Sequence, residues 1–351
     1  MDATTVAVDL AKDVFEVATA NHAGRIVERK RLTRRQFEAF VDALPAGTKV
    51  VMEACGTAHY WGRRCQARGH QVRLLPVQYV QPYVRRNKTD RTDTEALLEA
   101  SRCAGIQPVP VKTPAQQALQ ALHRVRTQWQ ATRTARLNTL RGMLREHGIP
   151  MALGARTVLR KVPLILEDAD HGLPAHVRYA VALVYEEAQA LEHRVKALDR
   201  QLARVAAADP VAQRLLQIPG IGVITATALL GAVAHIHAFS RARHFASWLG
   251  LTPSERSSGF RRHLGRISKR GDVYLRCLLT HGARAVLLTA QRTLHATRQG
   301  TRFQHWAVAL AARRGHNKAA IAVANKLARM VWAVWRKERD FNAGPRVAVA
   351  A

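Results

Sequence analysis

The sequence predicts an α/β domain followed by all-α structure, and three observations predict it. Residues 1–100 alternate short β-rich runs with segments of helical apolar spacing. An unbroken heptad stripe runs from Val181 to Val205. From residue 206 onward, helical runs are joined by loops rich in Gly, Ser and Arg.

Taken in order, "TTVAVDLA" and "VFEVATA" are two β-rich runs separated by "KD", and "GRIVERKRL" is a third after "NHAG". "TRRQFEAFVDAL" has helical spacing with Thr33 as its N-cap. "TKVVMEAC" is the next strand, "TAHYWGRRCQARG" a helix closed by Gly69, and "HQVRLLP" a further strand. Three strands, a helix, then alternating strand and helix give a mixed sheet flanked by helices. That order suits a ribonuclease H-like fold, although actin-like ATPase domains share the opening.

From about 115 to 205 the pattern is helical throughout. Val181, Val184, Ala188, Leu191, Val195, Leu198, Leu202 and Val205 are spaced alternately by three and four, which predicts a coiled coil within the chain or between chains. "TPAQQALQALHRVRTQWQATRTARLNTLRGML" is the long antiparallel partner. Farther on, Gly220 and Gly222 in "LQIPGIGVITATALLGAV" read either as a helix-hairpin-helix element, whose N–H groups hold a phosphate, or as a tight turn between core helices. The expected organisation is a sheet domain at 1–114, a helical coiled-coil linker at 115–205, a helical domain at 206–340 and a flexible tail at 341–351.

Charge points to the partner. The 351 residues hold 55 Lys and Arg against 25 Asp and Glu, a net +30, and a field of that size suits a polyanion, nucleic acid first. No run of about 18 apolar residues and no signal-peptide pattern is present, so a membrane partner is not expected and a cytoplasmic location is. The four cysteines form no C-x-x-C pair and read as reduced thiols; zinc is not expected. Residues 206–351 hold 23 Lys and Arg and only five acids, whereas residues 1–100 hold 12 of the 25 acids. The two ends do different work.

Acids in that N-terminal third are therefore informative. Asp9 lies on the first strand among apolar residues, and Glu53 ends the strand "KVVMEACG". Such positions are costly for a carboxylate without a cation or hydrogen-bond donors. In "NKTDRTDTEALLEA", Asp90 and Asp93 sit one helical turn apart on one face, just after Lys88, a candidate nucleic-acid contact. Asp13 and Glu16 read as a turn and an outward strand position and are left out of the set. Four carboxylates together repel one another, and Mg²⁺ or Mn²⁺ with oxygen ligands would relieve that. Two such ions can clamp the attacking and leaving oxygens of a phosphodiester.

The other candidate is "LGLTPSERSSGFRRHLGRISKRGDVYLR". Ser257 and Ser258 precede Gly259 within a cluster that includes Arg256, Arg261, Arg262, Arg266, Lys269 and Arg270. Such a cluster serves as a phosphate contact, and it would also stabilise the charge developed when a serine attacks phosphorus. On the residues alone both readings stand.

"VAVDLAKDVFEVA", "VMEACGTAHYWGR", "NKTDRTDTEALLEA", "IPGIGVITATALL" and the serine segment occur in the order of one family. Over nearly its whole length the sequence resembles insertion-sequence transposases of the IS110 family, IS1111 subgroup. The resemblance implies a RuvC-like domain with a D-E-D-D acid set, a coiled coil for assembly into a dimer or tetramer, and a helical C-terminal transposase domain holding a serine. It implies a noncoding guide RNA that pairs with target and donor DNA. By position the acids are Asp9, Glu53, Asp90 and Asp93, and the serine is Ser258, with Ser257 the second choice. Some 165 residues separate Asp93 from Ser258, so folding or a neighbouring chain must bring the serine to the metals. The alternatives are a RuvC-type Holliday-junction resolvase or other metal-dependent nuclease, which needs the acids but no serine, and a non-catalytic nucleic-acid binder.

Overall fold

The computed structural model describes residues 3–84, 89–170 and 172–348. The chain divides into two compact units, 1–117 and 118–351.

In the first unit, β1 (Ala3–Asp9), β2 (Val14–Asn21), β3 (Ile26–Thr33), α1 (Arg34–Ala43), β4 (Lys49–Glu53), α2 (Ala58–Ala67) and β5 (Gln71–Leu75) are followed by the short α3 (Val77–Val80) and by α4 (Asp90–Arg102). The sheet order is β3-β2-β1-β4-β5, with β1–β2 and β2–β3 antiparallel and β1–β4 and β4–β5 parallel. Thr33 caps α1 as expected: its hydroxyl accepts from the Gln36 N–H, and the Gln36 side chain accepts from the Thr33 N–H.

Strand alternation sorts the side chains into two layers. Val6, Val8, Phe15, Val17, Val50, Met52 and Leu74 pack with Phe37, Val41 and Trp61 of α1 and α2. The stacked Phe15–Phe37 pair (4.8 Å) and the edge-on Phe37–Trp61 pair (4.8 Å) fix that layer. On the other face Ala7, Ala18, Ala20, Val51 and Leu75 meet Ala96, Leu97 and Ala100 of α4. Three alanines on adjacent strands let α4 lie close to the sheet.

The second unit continues α5 (Pro114–Glu146) and then holds α6 (Ala155–Glu167), α7 (Ala175–Ala208), α8 (Pro210–Leu216), α9 (Val223–Ala232) and α10 (Ala242–Trp248). A hairpin of β6 (Pro253–Glu255) and β7 (Leu264–Ile267) follows, then α11 (Val273–Thr297), β8 (Gln299–Thr301), α12 (Arg302–Arg314), α13 (His316–Lys337) and β9 (Arg346–Ala348). Two expectations are corrected here. The serine segment is a β-hairpin rather than a loop between helices. Within the stretch expected to be a flexible tail, residues 346–348 form β9 and pair with β8, and Phe341 N–H donates to the Gln217 carboxamide at 2.9 Å.

α5 and α7 run antiparallel within the chain, laced by Arg126–Asp199, Arg133–Glu192 and Arg136–Glu187. Val181, Ala188, Leu191, Val195 and Leu202 of the heptad stripe are buried without a second chain, and Leu198 is half-buried. A carboxylate at Leu191 would stand in that apolar seam, so Leu191→Asp should destabilise the fold by about 3–5 kcal/mol. A thermal melt checks this. An unchanged melt with a lower mass in solution would instead place the stripe between chains.

His123 on α5 ties three helices together, its Nδ1 3.0 Å from the Tyr274 hydroxyl of α11 and its Nε2 3.0 Å from the Thr227 hydroxyl of α9. Burial, reinforced by Arg126, lowers its pKa to about 4. The folded state thus resists a proton that the unfolded chain accepts below its ordinary value of about 6.5. Stability from this residue is full above pH 6.5 and is lost as pH falls toward 4, because the unfolded state then binds more protons. His123→Gln, which does not titrate, should show a shallower fall in melting temperature between pH 7 and 4.5. A parallel fall in both proteins would contradict this.

Candidate active site

The first unit gathers the predicted acids at one end of its sheet. Val8 pairs with Met52 across the parallel β1–β4 ladder, so Asp9 and Glu53 end neighbouring strands in step. Each lies two residues beyond a residue of the α4-facing layer, Ala7 and Val51, and so faces the same side. Both are half-buried. The thiol of nearby Cys55 registers them: burial raises its pKa first, and the charges of Glu53 and then Asp9 raise it further.

The start of α4 is at that same end. Asp9 pairs with Glu16 across β1–β2, and Glu16 with Arg31 across β2–β3. Arg31 reaches Asp90 at 3.8 Å, while Arg29, two residues back along β3, donates to the Thr94 hydroxyl at 3.3 Å. The Thr89 side chain caps α4, accepting from Thr92 N–H at 3.3 Å. Capping therefore needs neither Asp90 nor Asp93, and the helix dipole favours both where they are. Asp90 is exposed and Asp93 half-buried.

Glu16 is a correction. Opposite Asp9 in an antiparallel pair and in step with Ala18, it faces the α4 side with Asp9 and is half-buried, not outward. The expected carboxylates thus stand as a strand pair and a helix pair, with Glu16 alongside the first. Among the described residues no three Asp, Glu, His or Cys side chains stand close enough together to hold one ion. The donor set is nevertheless all carboxylate, which suits a hard divalent cation. Lys88 lies outside the described residues. Just after Glu53, Thr57 holds φ +65°, a left-handed conformation costly for a β-branched residue.

The second unit presents the serines. Pro253 pairs with Ile267 and Glu255 with Leu264; beyond them Ser258 N–H donates to Arg261 O at 3.3 Å and Arg261 N–H to Ser258 O at 3.1 Å. Gly259 and Phe260 make the two-residue turn, with Gly259 at φ +54° as tight hairpin turns require. The two serines differ sharply. Ser257 Oγ donates to Glu255 Oε1 at 2.8 Å and accepts from His263 N–H at 3.1 Å, while Arg262 Nε donates to the same carboxylate oxygen at 3.0 Å. Those two donors, Ser257 first, hold the Glu255 carboxyl below the usual carboxylate range. The Ser258 hydroxyl is exposed and makes no hydrogen bond among the described residues.

Glu255 was missed in the sequence, although its spacing of two from Ser257 was the signal that could have found it. Arg256, Arg261, Arg262, Arg266, Lys269 and Arg270 are all exposed along the hairpin and just after it. On the inner side of the hairpin a cavity of about 310 Å³ is lined by Arg243, Arg262, Arg329, Glu255 and Asn325, among others. Three guanidinium groups against one carboxylate suit a phosphate.

Gly220 and Gly222 separate. Gly220 (φ +84°) meets Gly282 of α11 backbone to backbone: a Cβ on Gly220 would lie 2.7 Å from Gly282 O, and one on Gly282 would lie 2.1 Å from Gly220 O. Packing accounts for Gly220. Gly222 is exposed at the start of α9, whose first N–H groups have no acceptor within the helix and no side-chain cap at Gly222.

Residues 212–299 match the Transposase IS116/IS110/IS902 family, and residues 6–149 match the IS110-type DEDD domain, described as a transposase. A probable family 20 transposase of Pseudomonas aeruginosa is 39% identical over 345 residues, spanning 98% of this chain and 100% of that one. This chain belongs to the IS110/IS116/IS902 family of insertion-sequence transposases. The transposase for insertion sequence element IS1111A of Coxiella burnetii is 38% identical, covering 98% of this chain and 92% of its own. That for IS1328 of Yersinia enterocolitica is 35% identical, covering 97% and 98%. The acid end of the sheet lies in the DEDD match, and the serine hairpin lies in the other. As a transposase of this family the protein acts on DNA. Among the described residues no helix is long and apolar enough to cross a membrane.

Proposed function

We propose that this transposase cleaves and joins DNA strands with a metal-bound carboxylate set and a serine nucleophile, guided by a noncoding RNA from its own element. The observation that carries the reading is that Asp9 and Glu53 end neighbouring strands in step, with the first turn of α4 at the same end of the sheet. Asp9, Glu53, Asp90 and Asp93 would hold Mg²⁺ or Mn²⁺, which when bound supplies a Lewis acid for phosphate oxygens. The sheet order, two antiparallel joints followed by two parallel ones, supports a RuvC-like assignment for the first unit.

Ser258 supplies the nucleophile. Its Oγ gives its proton to solvent as it forms a bond to phosphorus, the bond from that phosphorus to one strand oxygen breaks, and the departing strand oxygen takes a proton from solvent. The arginines around it offset the charge that develops. Ser257 and Glu255 hold the hairpin that presents it. Lys88, Arg256, Arg261, Arg262, Arg266, Lys269, Arg270 and the exposed start of α9 at Gly222 contact nucleic acid. The working form is a dimer or tetramer on donor and target DNA.

The test is an in vitro reaction on plasmids carrying the element ends, with the protein purified together with its flanking RNA. Joined product that needs both Mg²⁺ and the RNA is the expected result. Joining that persists in chelator, or after the RNA is digested, would remove the metal or the guide from the account.

A further inference from the structure

Phe260 occupies the tip of the serine hairpin and is wholly exposed, the most exposed large apolar side chain among the described residues. It touches no other ring among the described residues, in a chain whose other phenylalanines are mostly buried in the cores. The fold gains nothing from it: in a two-residue turn the second position accepts many residues, and water contact with a phenyl ring is unfavourable. Around it the surface is cationic. Arg256, Arg261, Arg262 and Arg266 are exposed on the same hairpin, whose acid, Glu255, is already paired with Arg262. An aromatic face held among arginines that track a phosphate backbone is how single-stranded and unstacked bases are bound.

We propose that Phe260 is a base-stacking residue that holds an unstacked DNA base beside the phosphate that Ser258 reaches. The proposal rests on the reading of Ser258 as nucleophile only for where the base lies. Two residues of chain span at most about 7 Å, and bases in one strand are about 3.4 Å apart. The stacked base therefore belongs within two or three nucleotides of the reacting phosphate. Opening the stack there frees the phosphodiester for attack and gives the hairpin a grip that phosphate contacts alone lack.

The test compares the full-length protein with Phe260→Ala and Phe260→Trp, binding single-stranded oligodeoxythymidylate and an abasic strand of equal length. Stacking on one base makes Phe260→Ala bind the base-bearing strand about tenfold more weakly, with Phe260→Trp as tight as the parent. The abasic strand should not distinguish the three proteins. Equal affinity of the alanine and parent proteins for the base-bearing strand overturns the proposal, as does an equal loss on the abasic strand. A change of mass in solution in Phe260→Ala would assign the ring to an interface between copies and also overturn it. Repeating the comparison on a Ser258→Ala background separates the two ideas, since stacking survives there even if the serine is not the nucleophile.

Discussion

Asp9→Ala should reduce strand cleavage and joining at least about a thousandfold while leaving nucleic-acid affinity within about twofold of the parent. Asp9 ends β1 in step with Glu53 on β4, and the two carboxylates are near enough to Cys55 to raise its thiol pKa together. Removing one leaves the other half-buried with less reason to hold a cation. Affinity is carried elsewhere, by a chain with 55 Lys and Arg. Asp9→Asn, which keeps the shape and removes the charge, should behave as Asp9→Ala does. A competent Asp9→Asn protein would show that the charge is not used and would undo the metal assignment.

Ser258→Ala should lower strand transfer by at least about 10⁴-fold, since the other exposed hydroxyl of the hairpin, on Ser257, is engaged by Glu255 and His263 N–H. Ser257→Ala is a different lesion. It removes a donor to Glu255 and the acceptor for His263 N–H, loosening the hairpin. A net hydrogen bond of about 1 kcal/mol translates into about a fivefold slower rate. Single-turnover kinetics on the two variants would give this ordering. The reverse ordering would identify Ser257, with Glu255 as its partner, as the reacting group.

Much of the first unit was legible because its strands alternate cleanly. Val6, Val8, Val50 and Met52 on one face and Ala7 and Val51 on the other leave little freedom in how β1 and β4 lie. Asp9 and Glu53 stood out as acids at the ends of such strands. Glu16 did not, because its face follows from the β1–β2 register, which is a tertiary fact. The serine hairpin was hidden for a related reason: "SERSSGFRRHLGR" is polar on both faces, so the period of two that announces a strand is missing. β9 is three residues long and takes its conformation from β8, which a local reading cannot supply. The heptad stripe and its long antiparallel partner were both plain in the sequence, but not whether that partner comes from the same chain. The ladder of Arg126, Arg133 and Arg136 against Asp199, Glu192 and Glu187 identifies α5 of the same chain.

The most direct measurement is to trap the protein–DNA adduct during strand transfer, digest it and map the modified side chain by mass spectrometry. The account predicts a phosphodiester bond to Ser258 Oγ in the parent protein, its absence in Ser258→Ala, and its retention in Ser257→Ala. An adduct on any other residue, or one that survives in Ser258→Ala, would contradict it.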